Sequence, residues 1–376
     1  MIRSFAAVVH IIPGPLIAFR FSIYGITHSK LFMAVTRWRA KVPMTAERES
    51  SDVIRKRIEP TLNNVAVDGL RAWLKSIGLP SAAYSRAAIT ELVSKQIAGK
   101  QLDEGALESA LIGFEEASDM RIYLFRMDDG PSGKPEKWLP TKLLKAGFAL
   151  AKSPVFAGEK VKPMSPVYAH LEGGLLRVKW VERQEQSKMN ERGDGVIRKP
   201  VFKRVVLIAD FNKGTAELRM NPPDKIHAHE DAGGRATAET YFKAYADRAA
   251  EILGCTLTPI DLRVVVRKLV DKVEPRVVRI HIDNHTNQSN YKTKTTGPRA
   301  DVRDDPDWRL AYNKNGESWA YDAQSFYWLP KVSSGFLTRE VFSHINAEEG
   351  FIKVNADCSD KEVTHVISQV RAREAK

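Results

Sequence analysis

The hydrophobic period changes from helical to alternating near Met120, and that change restricts the fold more than any other feature. Before it, apolar residues recur at helical spacing. Val67, Leu70, Leu74 and Ile77 share one helix face and stop at Gly78, a natural C-cap. Ser50, Ser51 and Asp52 offer an N-cap for an earlier helix carrying Arg55-Lys56-Arg57. Further helices are expected over Ser85–Ala98, burying Ile89, Leu92, Val93 and Ile97, and over Glu104–Glu116, with Leu107, Leu111 and Phe114 inward and acidic ends on a solvated face.

After Met120 the pattern alternates. Residues 121–126 read as a strand closed by the turn Asp128-Asp129-Gly130-Pro131, and a short helix is expected over 141–152. Gly174–Val181 and Arg204–Phe211 form a hairpin across a polar loop, Gln184–Lys199, and Thr215–Met220 adds a third antiparallel strand. Helical period returns over 234–253, where Tyr241, Phe242, Tyr245, Ala249 and Ile252 share a face that ends at Gly254. Pro259 is placed at the first position of a helix running to Lys272. A strand over Arg276–Asp283, a polar loop over 286–307, an aromatic-rich segment, a strand near Phe351–Val354 and a helix over Ser359–Arg371 complete the chain. No repeat is evident. The expected class is α+β: a helical N-terminal module (46–119), then a mixed domain (120–376) with an antiparallel sheet and flanking helices, divisible near 225–233.

Residues 1–45 stand apart as an N-terminal extension. They hold no Asp or Glu, and their apolar stretch from Phe5 to Phe19 is broken by Pro13-Gly14-Pro15. That break disfavours a spanning helix or a secretory signal. A transit-like peptide or a miscalled start remains, with Met33 or Met44 as the true start in the favoured second case.

The formal net charge is +12, and it is uneven. Residues 1–100 carry +9 and 151–300 carry +9, whereas 101–150 and 301–376 each carry −3. Concentrated Lys and Arg suit a polyanionic partner, because neutralising phosphates releases condensed counterions. The two cysteines, Cys255 and Cys358, exclude a disulfide framework and a cysteine-based zinc cluster, and they fit a reducing, cytoplasmic setting.

The stretch Leu70-Arg-Ala-Trp-Leu-Lys75-Ser-Ile-Gly78-Leu79-Pro80, followed by Arg86, Ile89 and Leu92, resembles the SAP-like helix–extended-loop–helix module over residues 64–98. Ala83-Tyr84-Ser85 stands where that family carries a small-Gly-Lys turn. The resemblance implies a small DNA-binding unit with phosphate contacts from Lys75, Arg86 and Lys95. A second basic face is expected on the helix ending near Lys272, from Arg263, Arg267 and Lys268, over a core-facing Val265, Val266, Leu269 and Val270. Each has a plainer reading as a solvated helix face. Seven aromatics between Trp308 and Trp328 (Trp308, Tyr312, Trp319, Tyr321, Phe326, Tyr327, Trp328) are candidates for a base-stacking platform or for core packing.

Histidines carry the enzymatic alternative. His227-Ala-His229-Glu-Asp231 resembles part of the metallo-β-lactamase signature, with Ala232 where that pattern continues with histidine. His281, Asp283 and His285 would share one face of a strand. Together they are candidate Zn or Mn ligands, or a polar stripe. Asp210 with Glu217 and Arg219 has the residue order of an Asp…Glu-x-Lys nuclease, but arginine replaces the lysine. No P-loop, dinucleotide fingerprint or nucleophile elbow is present. The expected function is sequence-tolerant binding of nucleic acid, DNA before RNA, without a cofactor or membrane, alone or within a larger assembly. A metal-dependent hydrolase and a scaffold for an acidic protein are the alternatives.

Overall fold

The computed structural model describes residues 50–376 apart from 63–64, 83–84, 118, 132–133, 153–164, 190–194, 222–237, 272–274, 285–288, 296, 298, 317–318, 331–332, 334–335, 356 and 375–376. Side chains are also outside the description at 60–61, 183–189, 196–201, 238–239, 281–284, 289–291 and 315. The N-terminal extension and the expected division near 225–233 therefore lie outside the described residues.

The described residues begin with four helices: α1 (Ser51–Leu62), α2 (Val67–Ser76), α3 (Arg86–Ala98) and α4 (Glu104–Ala117). Gly78 takes φ +76° after α2, a conformation that favours glycine, and the Ser85 hydroxyl accepts from the Ala88 N–H at 3.2 Å to start α3. Ile54, Ile58, Leu62, Leu70, Leu74, Ile89, Val93, Leu107, Leu111 and Phe114 make a core confined to these helices. The acidic end of α4 is the exception to its expected solvated face. Glu115 and Glu116 are buried against the sheet that follows.

Among the described residues, eleven strands pair antiparallel in one sheet. They are β1 (Arg121–Asp128), β2 (Ser165–Glu172), β3 (Leu175–Met189), β4 (Val196–Asp210), β5 (Thr215–Met220), β6 (Thr256–Pro259), β7 (Arg276–Asn284), β8 (Ser289–Lys294), β9 (Trp319–Trp328), β10 (Val341–Asn346) and β11 (Phe351–Val354). The order across the sheet is β2-β3-β4-β5-β1-β11-β10-β9-β7-β8, with β6 also paired to β1. The protein is thus α+β, with a helical N-terminal part and a mixed domain built on an antiparallel sheet.

β1 sits at the centre, and the same plan is built on each side of it. On one side, α5 (Pro135–Lys145) precedes the meander β2–β5 and α6 (Ala238–Leu253) follows it. On the other, α7 (Leu262–Val270) precedes β7, β9, β10 and β11, and α9 (Asp360–Glu374) follows. The helix pairs lie on opposite faces, as a two-fold rotation about β1 would place them. Along β1, Tyr123 and Phe125 face the core under α5 and α6, whereas Ile122 and Leu124 face the core under α7 and α9. The inner hairpins match in detail: Asp210-Phe-Asn-Lys-Gly214 and Asn346-Ala-Glu-Glu-Gly350 are turns of one length, each ending on a glycine at positive φ. The two hairpins share the turn length and its closing glycine, whereas equivalent inward positions such as Leu207 and Ser343 differ, so the sequence shows no repeat.

Several expected boundaries move for physical reasons. The helix expected over 141–152 starts earlier, with Pro135 in its first turn, and ends before Gly147, whose φ is +83°. The expected loop Gln184–Lys199 is mostly strand, because β3 and β4 stay paired from Leu175–Asp210 out to Met189–Val196. Pro259 ends β6 rather than opening a helix; α7 begins after Asp261, whose carboxylate accepts from the Arg263 N–H at 2.9 Å. The expected loop 286–307 contains β8, and the aromatic segment begins with a further helix, α8 (Pro306–Asn315). β2 and β10 were not expected at all.

Candidate nucleic-acid interface

The face of the second meander opposite α7 and α9 gathers basic and aromatic residues. Strand alternation sends Phe326, Trp328, Val341 and Ile345 into the core, and so turns Ser325, Tyr327, Phe342 and His344 outward. Tyr327 and Phe342 are directly paired across β9 and β10, half-buried, with ring centroids 5.2 Å apart at 61°. The Arg276 guanidinium lies 5.0 Å from the Tyr327 ring centroid and is held there by Glu340 at 2.6 Å. One register step away, Lys294, Arg279, Ser325, His344 and Lys353 form a row across β8, β7, β9, β10 and β11. Lys353 pairs with Asp119 at 2.8 Å. Arg279, Lys292 and Lys294 are exposed, and no ion pair holds them among the described residues. Around Ala323 these three cations and His344 line a concavity of about 460 Å³.

His344 accepts or donates one hydrogen bond with the Ser325 hydroxyl at 3.0 Å. Burial first, then the Arg279 charge, holds its pKa below the ordinary imidazole value; Lys353 adds to this and Glu349 opposes it. The folded state therefore resists a proton that the unfolded chain accepts near pH 6.5. Its stability contribution is full above that pH and declines as pH falls through it. The expected result is a urea midpoint that drops between pH 7.5 and pH 5.5 by less in His344→Gln than in the parent chain.

The corresponding face of the first meander is also basic, but it is occupied. Register places Tyr168 and Lys179 where the second meander has Arg276 and Tyr327, and His170 and Arg177 where it has Arg279 and Ser325. Onto this face α4 brings Glu115 and Glu116, and α9 brings Asp360. Glu116 takes Arg177 at 2.5 Å and the Tyr168 hydroxyl at 2.6 Å. Glu115 takes Lys179 at 2.5 Å and Arg204 at 2.8 Å. Asp360 pairs with Arg177 at 3.0 Å and with the fully buried Arg219, which also holds Glu217 at 2.7 Å. Despite the cost of burial, the two arginines bring the Asp360 pKa down to about 2.

The residues singled out in the sequence fall elsewhere. Lys75 is exposed at the end of α2, and Lys95 is exposed but paired with Glu91 at 2.6 Å. Arg86 turns inward: its guanidinium donates to the Leu62 carbonyl and, at 2.6 Å, to the Val65 carbonyl, tying α3 to the end of α1. On α7, Arg263 is half-exposed 3.7 Å from Asp322, Lys268 donates to the Arg373 carbonyl at 3.0 Å, and Arg267 is exposed. Of the seven aromatics, Trp308, Trp319, Tyr321, Phe326 and Trp328 are core, and Tyr327 alone stands on the basic face. His227, His229, Asp231 and His285 lie outside the described residues. His281 and Asp283 lie on β7, opposite Ala323 and Ala320, with their side chains outside the description. Among the described residues no group of three His, Cys, Asp or Glu is placed to hold a metal. Asp210 is engaged by Lys213 at 2.8 Å in its turn, apart from the buried Glu217–Arg219 pair. No helix among the described residues is long and apolar enough to cross a membrane.

Arg276, Arg279, Lys292, Lys294, Phe342 and His344 were not picked out from sequence. The signal was the alternation Lys292-Thr-Lys294, hidden inside what read as a polar loop. No protein-family model matches the chain, and no curated protein sequence matches it.

Proposed function

We propose that this protein binds single-stranded nucleic acid, DNA before RNA and without strong sequence preference, on the outer face of β7–β11. The observation that carries the reading is the Tyr327–Phe342 pair set among Arg279, Lys292 and Lys294. An unpaired base offers a flat π-face for such a pair, and its phosphate offers a charge for the cations beside it. A duplex hides its base faces in the stack, so exposed aromatic edges and faces on a strand pair favour unpaired strands. The first meander lends support, because there the same side of the same plan is satisfied by carboxylates from the chain itself.

The test is fluorescence anisotropy of the full chain with single- and double-stranded oligonucleotides across salt. Single strands are expected to bind more tightly, with affinity falling linearly in log salt. Substituting Arg279, Lys292 and Lys294 together by glutamine is expected to lower that slope by about two units, at ~0.7 per phosphate contact on single strands. Absence of binding at low salt overturns the reading. An unchanged slope in the triple variant moves the interface elsewhere, with Lys75 and Arg267 the next positions to substitute.

A further inference from the structure

The cations of the interface are not strung along a groove. Arg279, Lys292 and Lys294 stand around one concavity together with the imidazole of His344 and with Ala323, Thr293 and Ile280 at its wall. A phosphodiester carries one charge and two free oxygens. A terminal phosphate carries up to two charges and three free oxygens, so it uses more donors at a single point. Four nitrogen-bearing side chains around one cavity of about 460 Å³ match the denser anion. The cavity also lies beside the outer strand: β8, which supplies Lys292 and Lys294, is last in the sheet order. A nucleic acid stacked on Tyr327 and Phe342 and directed towards β8 runs off the sheet there.

The spacing agrees. Arg279 and His344 stand level with Ser325, and Lys292 level with Ala323, so the cavity lies ~7–14 Å along β9 from Tyr327. That is the scale of one to two nucleotides, with a base against the ring pair and the end phosphate among the cations. We infer that this concavity is an end-recognition site for the terminal phosphate of a single strand, with a base close to that end stacked against the Tyr327–Phe342 pair. This rests on the reading of the face as a single-strand interface. Ala323 is the control point, because its methyl leaves the space that a phosphate needs, whereas a longer side chain fills it without removing any charge.

The experiment compares three oligonucleotides of one sequence on the full chain: 5′-phosphorylated, 3′-phosphorylated and unphosphorylated. Binding is measured in the parent and in Ala323→Leu, with free deoxynucleoside monophosphate as competitor and circular dichroism to verify folding. One phosphorylated end is expected to bind at least tenfold tighter than the unphosphorylated strand, and Ala323→Leu to erase that difference while unphosphorylated binding persists. Ala323→Val, a smaller and β-branched change at the same strand position that removes no charge, gives the same readout should Ala323→Leu fail to fold. Equal binding of all three oligonucleotides overturns the end site and leaves the single-strand interface standing. A monophosphate that binds as tightly as the best oligonucleotide overturns it in favour of a mononucleotide pocket. Failure of every oligonucleotide to bind overturns both.

Discussion

Replacing Tyr327 and Phe342 together by alanine is expected to weaken single-strand binding about 30-fold or more, with the salt slope unchanged. Stacking of a base on an aromatic side chain contributes ~1–3 kcal/mol by alanine substitution, and ~1.4 kcal/mol is tenfold in affinity. The two rings touch, so their effects should not add, and the double variant measures the platform as a unit. Tyr327→Phe and Phe342→Tyr keep a flat ring at each position and are expected to stay within a few-fold of the parent. The contrast with the charge variants is the informative part. Cation removal changes how affinity depends on salt, whereas ring removal lowers affinity equally at every salt concentration. A double-alanine variant that binds like the parent would leave the face with electrostatics alone and would remove the case for unpaired bases.

The second large effect concerns stability. Arg219→Met is expected to destabilise the fold by ~3–5 kcal/mol, the usual cost of leaving a buried charge without its partner. Arg219 is fully buried and answers both Glu217 and Asp360; methionine fills much of its volume but leaves those carboxylates facing low dielectric. Urea unfolding should show a lower midpoint with a similar slope, since the surface exposed on unfolding hardly changes. The same cluster sets acid sensitivity. Asp360 is depressed in the folded state from 3.8 to about 2, so its contribution is complete above the unfolded value and is lost as pH falls from 3.8 towards 2. That loss corresponds to roughly 2 kcal/mol for a shift of this size. Asp360→Asn should therefore unfold at lower urea at neutral pH, yet change less than the parent between pH 5 and pH 2.5. A parent chain whose stability is flat over that range would remove Asp360 as an acid-sensitive group.

The helices of the N-terminal part were legible in the sequence where local start and stop signals mark them. Gly78 and Ser85 punctuate α2 and α3 locally, and both act as expected. The strands were harder to read. β8 and the outer part of β3 carry few apolar residues, so their sequences lack the alternation that marks a half-buried strand. The site was hidden for a related reason. Basic residues on a helix are easy to count as a face, but Arg86 faces inward and Lys268 reaches a backbone carbonyl. The open cations lie instead on separate strands, and pairing that joins Lys294 to Arg279 and Ser325 to His344 is a long-range property. Tyr327 lay in view within the aromatic segment. Only the register, which puts Phe326 and Trp328 in the core, separates it from its neighbours.

β1 is shared by both meanders, and that sharing orders events on the ribosome. Its first edge is claimed by β5 soon after residue 220 is made, whereas its other edge meets Ile352 and Lys353 only near the end of synthesis. An unpaired central edge held open for so long invites pairing with another nascent chain. β6 arrives between the two, and it pairs with Phe125–Asp128 nearly a hundred residues before β11 exists. This four-residue strand therefore serves as an early guard, covering half of the exposed edge while the second meander is still being translated.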